Sequence, residues 1–248
     1  MTARLSMDRF PVRTLTSFGA RAFLLATLVA AVSLGACSRS QPPASPATPP
    51  PAAPAPAVQP AADTAPQLLS ADLVARLARP HSPVLGPAKA RVTVVEVLDP
   101  ACEACRAFAP VVEQLLFLYP EDVRVVVRFA DFHPPSQDAI RLLEAARRQG
   151  KFHELLGALF EKQPEWASHN APDLERAWKI ASQVGVDVAR ARKEVGTKSV
   201  DNMLRDEAED LSKLKVERTP TFFVNGKLLV SFGPEQLFEL VKQEVGAP

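Results

Sequence analysis

The chain has 248 residues, with 29 Lys+Arg against 28 Asp+Glu and a formal net charge of +1. A balance this close, with no basic stripe, lacks the electrostatic footprint of a nucleic-acid binder. It is also too small to steer a charged partner over distance.

Arg4, Arg9, Arg13 and Arg21 precede the apolar segment Ala22–Leu34. That segment is short against the roughly 20 apolar residues a membrane-spanning helix needs. A basic start, a short apolar core and small residues describe a secretory signal, residues 1–36. The quartet Leu34-Gly-Ala-Cys37 resembles the bacterial lipobox, which implies that Cys37 is diacylated and becomes the mature N-terminus. An uncleaved anchor helix is the alternative. Both put the remainder outside the cytoplasm, tethered to a membrane. Ser38 lacks the Asp that retains such lipoproteins at the inner membrane, which leans toward a periplasmic domain on the outer membrane. From Ser38 to Pro66 the chain is rich in Pro and Ala without apolar periodicity. It cannot bury enough surface to offset chain entropy. As polyproline II it reaches up to roughly 90 Å, and it serves either as a reach-setting tether or as a plain spacer.

Residues 67–248 read as the folded domain. Ser70–Arg79 is a short amphipathic helix capped by Ser70 and stopped by Pro80 and Pro83. Val92–Leu98 is a strand, and the helix from about Glu103 to Tyr119 follows it. Val123–Phe129 is the next strand. Its Arg124 and Arg128 fall on one face, so it should be less covered than the first. Strand, helix and strand of this length make a parallel pair. Helical patterns then fill about 134–215, too long for a connection. Asn225-Gly226 between two apolar runs predicts a type I′ hairpin over Thr221–Val224 and Lys227–Val230. A last helix covers Glu235–Val245.

Between the first strand and its helix stands Asp99-Pro-Ala-Cys102-Glu-Ala-Cys105. Cys102 falls at the helix N-terminus, where unpaired N–H groups and the helix dipole favour a negative charge. The thiolate is the reactive form of cysteine. Cys105 lies one turn further in, within reach for a disulfide. With Cys37 assigned to lipid, no cysteine remains for a structural framework, so the pair serves chemistry.

These features resemble the DsbA-like thiol-disulfide oxidoreductases of the thioredoxin superfamily. The match rests on Cys102-Glu-Ala-Cys105, on Thr219-Pro220 before the hairpin, and on the helical insert between them. The strings Ser82-Pro-Val-Leu-Gly-Pro and Thr-Pro-Thr-Phe-Phe-Val-Asn-Gly-Lys add to it. The resemblance implies an α/β thioredoxin fold with an inserted helical subdomain. It implies a cis Thr219–Pro220 bond facing the cysteines, with Thr219 pairing to the backbone of a bound substrate. It makes Cys102 the exposed nucleophile and Cys105 the resolving thiol, with no cofactor. Glu96, six residues before Cys102, takes the place of the family's buried acid; desolvated there, it would carry protons for Cys105. A solvated strand residue is the other reading of Glu96. The implied partners are exported proteins with thiols or disulfides and a membrane redox partner. The direction of exchange stays open.

Strong oxidants of this family carry a His between the cysteines, where this chain has Glu103-Ala104. The like charge of Glu103 should raise the Cys102 thiol and make the disulfide less oxidising, and Asp99 adds a second charge if it faces the site. A copper- or metal-binding thioredoxin-like lipoprotein is the rival function, since two thiolates hold Cu(I). Its further ligands would come from His81, His133, His153 and His169, with His133 nearest the site. A redox-inert scaffold is the other rival. Trp166 and Trp178 read as packing residues of the insert, and Glu207–Asp210 as a solvated helix face.

Overall fold

The computed structural model describes residues 67–247. The signal sequence, Cys37 and the Pro/Ala-rich stretch lie outside the described residues. In chain order the elements are β1 (Gln67–Leu68), α1 (Ala71–Val74), β2 (Val84–Leu85), β3 (Val92–Leu98), α2 (Glu103–Leu118) and β4 (Val123–Phe129). The insert follows as α3 (Ser136–Arg147), α4 (Phe152–Glu161), α5 (Gln163–Trp166), α6 (Leu174–Gln183), α7 (Val188–Glu194) and α8 (Lys198–Lys213). The chain closes with β5 (Thr221–Val224), β6 (Lys227–Leu228) and α9 (Pro234–Gly246).

The sheet order is β1-β6-β5-β3-β4-β2. β3 and β4 are parallel, with Val92 opposite Val123 and Leu98 opposite Phe129. β5 runs antiparallel to β3, with Glu96 opposite Phe222. This is the expected thioredoxin-type arrangement with its helical insert. In the hairpin, Asn225 and Gly226 have φ of 47° and 79°, the two positive values a type I′ turn requires.

The core has three parts. One face of the sheet packs Val94, Phe108, Leu115 and Phe222 against α9 residues Leu237 and Val241. The other face holds Val95, Val97 and Phe223 with Leu211 and Leu214. The third part joins the cysteine loop to the insert, where Leu98, Cys105 and Phe129 meet Ile140, Leu159 and Trp166. Phe222 and Phe223 thus point to opposite faces, and both are buried. Trp166 is core, and Trp178 lies under the Arg192 guanidinium, 4.4 Å from its ring centre.

Three expectations need correction. α1 is one turn long, and Ser70 caps no backbone N–H: its hydroxyl donates to Asp72 at 2.6 Å. β4 is as covered as β3, and Arg128 is fully buried. Nor is Glu207–Asp210 a solvated face, because Glu207 and Asp210 are buried partners of Arg128. The Arg128 guanidinium meets Glu207 and Asp210 at 2.9 Å each. Arg76 and Arg79 close on Asp210 from the α1 side, at 2.8 and 2.6 Å. Desolvation alone would push the Asp210 carboxyl up. Hydrogen bonds from Arg79, Arg76 and Arg128 outweigh it and hold the group far below the usual carboxylate range.

Candidate active site

β3 ends at Leu98, and the chain turns through Asp99-Pro-Ala into α2, so the cysteines sit just past the C-terminal end of a central strand, where a helix begins. Cys102 is the N-cap residue of α2, in extended conformation (φ −77°, ψ 124°). Its thiol is brought down to about 5. The largest cause is a hydrogen bond from the Cys105 side chain, which outweighs desolvation; the Thr219 side chain and the Cys105 and Ala104 backbone amides add to it. Those two amides are unpaired donors of the first helical turn.

The resemblance made Cys102 exposed. Only 7% of its surface is open, and Cys105 has none. The hydrogen bond to Cys102, and then burial, push the Cys105 thiol far up. The two stand as free thiols, one poised to ionise and one held neutral. Cys102 Sγ lies 3.5 Å from the Thr219 carbonyl oxygen, and the Thr219–Pro220 bond is cis. A groove of about 380 Å³ runs from Pro220 past Arg218, Lys215, Leu229 and Phe232.

Glu96 is 4% exposed, which excludes a solvated strand position. Burial alone pushes its carboxyl up to about 8. Its charge is among the causes that raise Cys105.

The Asp99 carboxylate is taken up by donors other than the sulfurs. It is buried and accepts from the amides of Ala101 and Phe132 at 2.8 Å, from the His133 amide at 3.1 Å and from the Ser136 hydroxyl. It also holds His133 Nδ1 at 2.8 Å. Desolvation pulls His133 down, but Asp99, with smaller contributions from Cys102 and Glu103, outweighs it and raises the imidazole above its ordinary value. Glu103 is paired too, with His169 Nε2 at 2.8 Å. The His133 and His169 rings lie 5.7 Å apart, edge to face. The Cys102 thiol therefore falls despite Glu103, because sulfur, hydroxyl and amide donors surround it.

Two further residues hold the loop, and sequence reasoning did not find their roles. Gln163 Nε2 donates to the Pro100 and Cys102 carbonyls, 3.0 Å each, from α5. His169 reaches Glu103 from the loop before α6. Neither carries a local motif; a lone Gln and a lone His on an insert gave no signal. Each of the four histidines lies beside a carboxylate: His81 by Glu207, His133 by Asp99, His153 by Glu113 and His169 by Glu103. Among the described residues, no three His, Cys, Asp or Glu side chains converge as metal ligands. No helix there is long and apolar enough to cross a membrane.

Known proteins resemble this chain in two ways. It is 35% identical over 147 residues to the Na(+)/H(+) antiporter NhaA 3 of Salinispora tropica, covering 58% of this chain and 22% of that protein. It is 30% identical over 164 residues to the NhaA antiporter of Herminiimonas arsenicoxydans, covering 64% and 25%. The chain thus spans about a quarter of the length of the curated relatives it matches. Among solved structures, a thioredoxin-like oxidoreductase from Silicibacter pomeroyi superposes with a TM-score of 0.61 at 28% identity, covering 73% of this chain and all of that one. BdbD of Bacillus subtilis gives 0.61 at 22% identity, covering 67% and 94%. Wolbachia pipientis alpha-DsbA1 gives 0.60 at 18%, covering 68% and 92%. A thioredoxin family model matches residues 78–243. The chain belongs to the thioredoxin family and takes the DsbA-like form of its fold.

Proposed function

We propose that this protein is a membrane-tethered, extracytoplasmic thiol-disulfide oxidoreductase that exchanges disulfides with exported proteins through Cys102 and Cys105. The observation that carries the reading is the position of Cys102 Sγ, at the start of α2 and 3.5 Å from the carbonyl of Thr219 in the cis-proline loop. An extended substrate segment pairs with that loop by strand-like backbone bonds, which brings its sulfur to Cys102.

In the oxidised protein, a substrate thiolate attacks Cys102 Sγ. The Cys102–Cys105 bond breaks, a mixed disulfide forms, and Cys105 leaves and takes a proton. A second substrate thiolate then attacks the substrate's own bridged sulfur and expels Cys102 as a thiolate. The substrate has lost two electrons and the protein has gained them. In the reverse direction Cys102 attacks a substrate disulfide, and Cys105, giving its proton to Glu96, resolves the mixed disulfide. The redox partner sets the net direction. The basic start, the apolar run and Cys37 support export and lipid attachment, and the Pro/Ala-rich stretch supports a tether.

Catalysed reduction of insulin by dithiothreitol tests the exchange. Wild-type protein should accelerate it and Cys102→Ser should not. Equal rates with and without the protein would sink the reading. Thiol trapping in cells then reads the direction: a disulfide marks an oxidase, a dithiol a reductase or isomerase.

A further inference from the structure

Glu96 must gain and lose a proton in each cycle of the exchange proposed above, yet it is buried among apolar neighbours. Its neighbours across the sheet are Val127 on β4 and Phe222 on β5. Among the described residues its carboxyl has no hydrogen-bond partner, and burial is the single cause acting on it.

A cavity of about 40 Å³ lies against Glu96 between α2, α4 and the sheet, with Ala109, Val112 and Gly157 in its wall. That volume holds at least one water. Ala109, Glu113, Gly157 and Phe160 also line an outer groove of about 560 Å³ between the same helices, so the cavity and the groove share a wall. No residue of the Thr219–Pro220 loop belongs to either. The charged groups at this seam are Glu113 and Arg106 on α2, and His153 and Glu161 on α4; β2 offers only Leu85. Glu113 and His153 face each other at 3.5 Å.

Gly157 is the second, independent observation. Glycine inside a helix costs about 1 kcal/mol against alanine. Here no close packing demands it, because a Cβ at Gly157 would meet nothing within 4 Å. What its absence leaves is open space facing Ala109.

We propose that the gap between Ala109 and Gly157 is a proton port, through which Glu96 exchanges its proton with solvent by way of water and the Glu113–His153 pair. The inference rests on the oxidoreductase reading. In the resolving step the Cys105 S–H bond breaks and its proton passes to the Glu96 carboxylate. The Cys105 thiolate attacks Cys102 Sγ, the Cys102–Cys105 bond forms, and the mixed disulfide breaks to release the substrate thiolate. Glu96 then passes the proton to cavity water and out between the helices. When Cys105 is the leaving group, the same path runs inward.

The test fills the port. Gly157→Leu places a side chain in the gap and raises helix propensity, so circular dichroism should show unchanged folding. Resolution of a preformed Cys102 mixed disulfide with glutathione, read in a single turnover, should slow about tenfold, a modest part of what general acid–base assistance supplies. Alkylation of Cys102 should keep its rate. In a Glu96→Gln background, Gly157→Leu should cause no further slowing. An unchanged resolution rate in Gly157→Leu overturns the port, as does an equal slowing with and without Glu96. Failure of wild-type protein to form the mixed disulfide at all would instead overturn the oxidoreductase reading.

Discussion

The Asp99 carboxylate grips His133 through both its ring, at 2.8 Å, and its backbone amide, at 3.1 Å. This ties the loop that delivers Cys102 to the loop that follows β4, and it holds His133, whose imidazole is raised above its ordinary value, in the field of the Cys102 sulfur. His133→Ala should therefore raise the Cys102 pKa and slow its alkylation at pH 5.5 by about threefold. The effect should vanish above neutral pH, where both proteins carry the full thiolate. An unchanged profile would mean that Asp99 holds His133 for loop order alone.

The His169–Glu103 pair makes a complementary prediction. His169→Ala leaves the Glu103 carboxylate unpaired next to Cys102. The thiol should rise by a similar amount, and Glu103→Gln in the same chain should reverse the rise. Titration of thiolate absorbance reads both, from a wild-type midpoint of about 5.

Folding shifts a proton from Cys102 to Glu96, and this sets a pH signature. The Cys102 thiol drops from 9.0 to about 5, so it binds a proton in the unfolded chain but not the folded one between those values. Its contribution to stability grows as pH rises through that window and is lost as pH falls through 5. Glu96 rises from 4.5 to about 8, so the folded chain holds the extra proton, and stability falls as pH rises from 4.5 to 8. Each slope is about 1.4 kcal/mol per pH unit. Between pH 5 and 8 they cancel in the reduced protein. Cys102→Ser should expose the Glu96 slope, so that stability falls with pH. Glu96→Gln should leave the Cys102 slope, so that it rises. Urea denaturation at pH 5.5, 6.5 and 7.5 measures all three; parallel profiles would refute the paired shifts.

Arg128→Met takes the buried guanidinium from two buried carboxylates, leaving Asp210 to Arg76 and Arg79 and Glu207 to His81. Removing one partner of a buried ion cluster costs about 3–5 kcal/mol. A loss of under about 1 kcal/mol, the scale of a surface pair, would contradict the buried geometry. Denaturant midpoints give the answer directly.

Much of the site was legible because its chemistry is local. A cysteine pair between a largely apolar strand and an amphipathic helix announces its position by spacing alone. β3 and β4 fall on their expected boundaries because each is a valine-rich run, broken only by Thr93 and Glu96 in β3 and by Arg124 and Arg128 in β4. Arg128 was misjudged for the opposite reason. Its partners Glu207 and Asp210 lie about 80 residues on, across the whole insert, and no short window links them. The two-residue strands β1 and β2 are too short to show a period. Gln163 and His169 join the site only once the insert folds back over the cysteine loop.

The pairing of Glu96 with Phe222 ties β3 to β5 at a fixed offset. Side chains alternate between faces along a strand, so an offset of one turns every residue over. A single codon gained or lost within β5 would carry Phe222 and Phe223 to each other's sides and draw the proline loop out of line with the sulfurs. This stretch should tolerate exchanges of residue far better than changes of length.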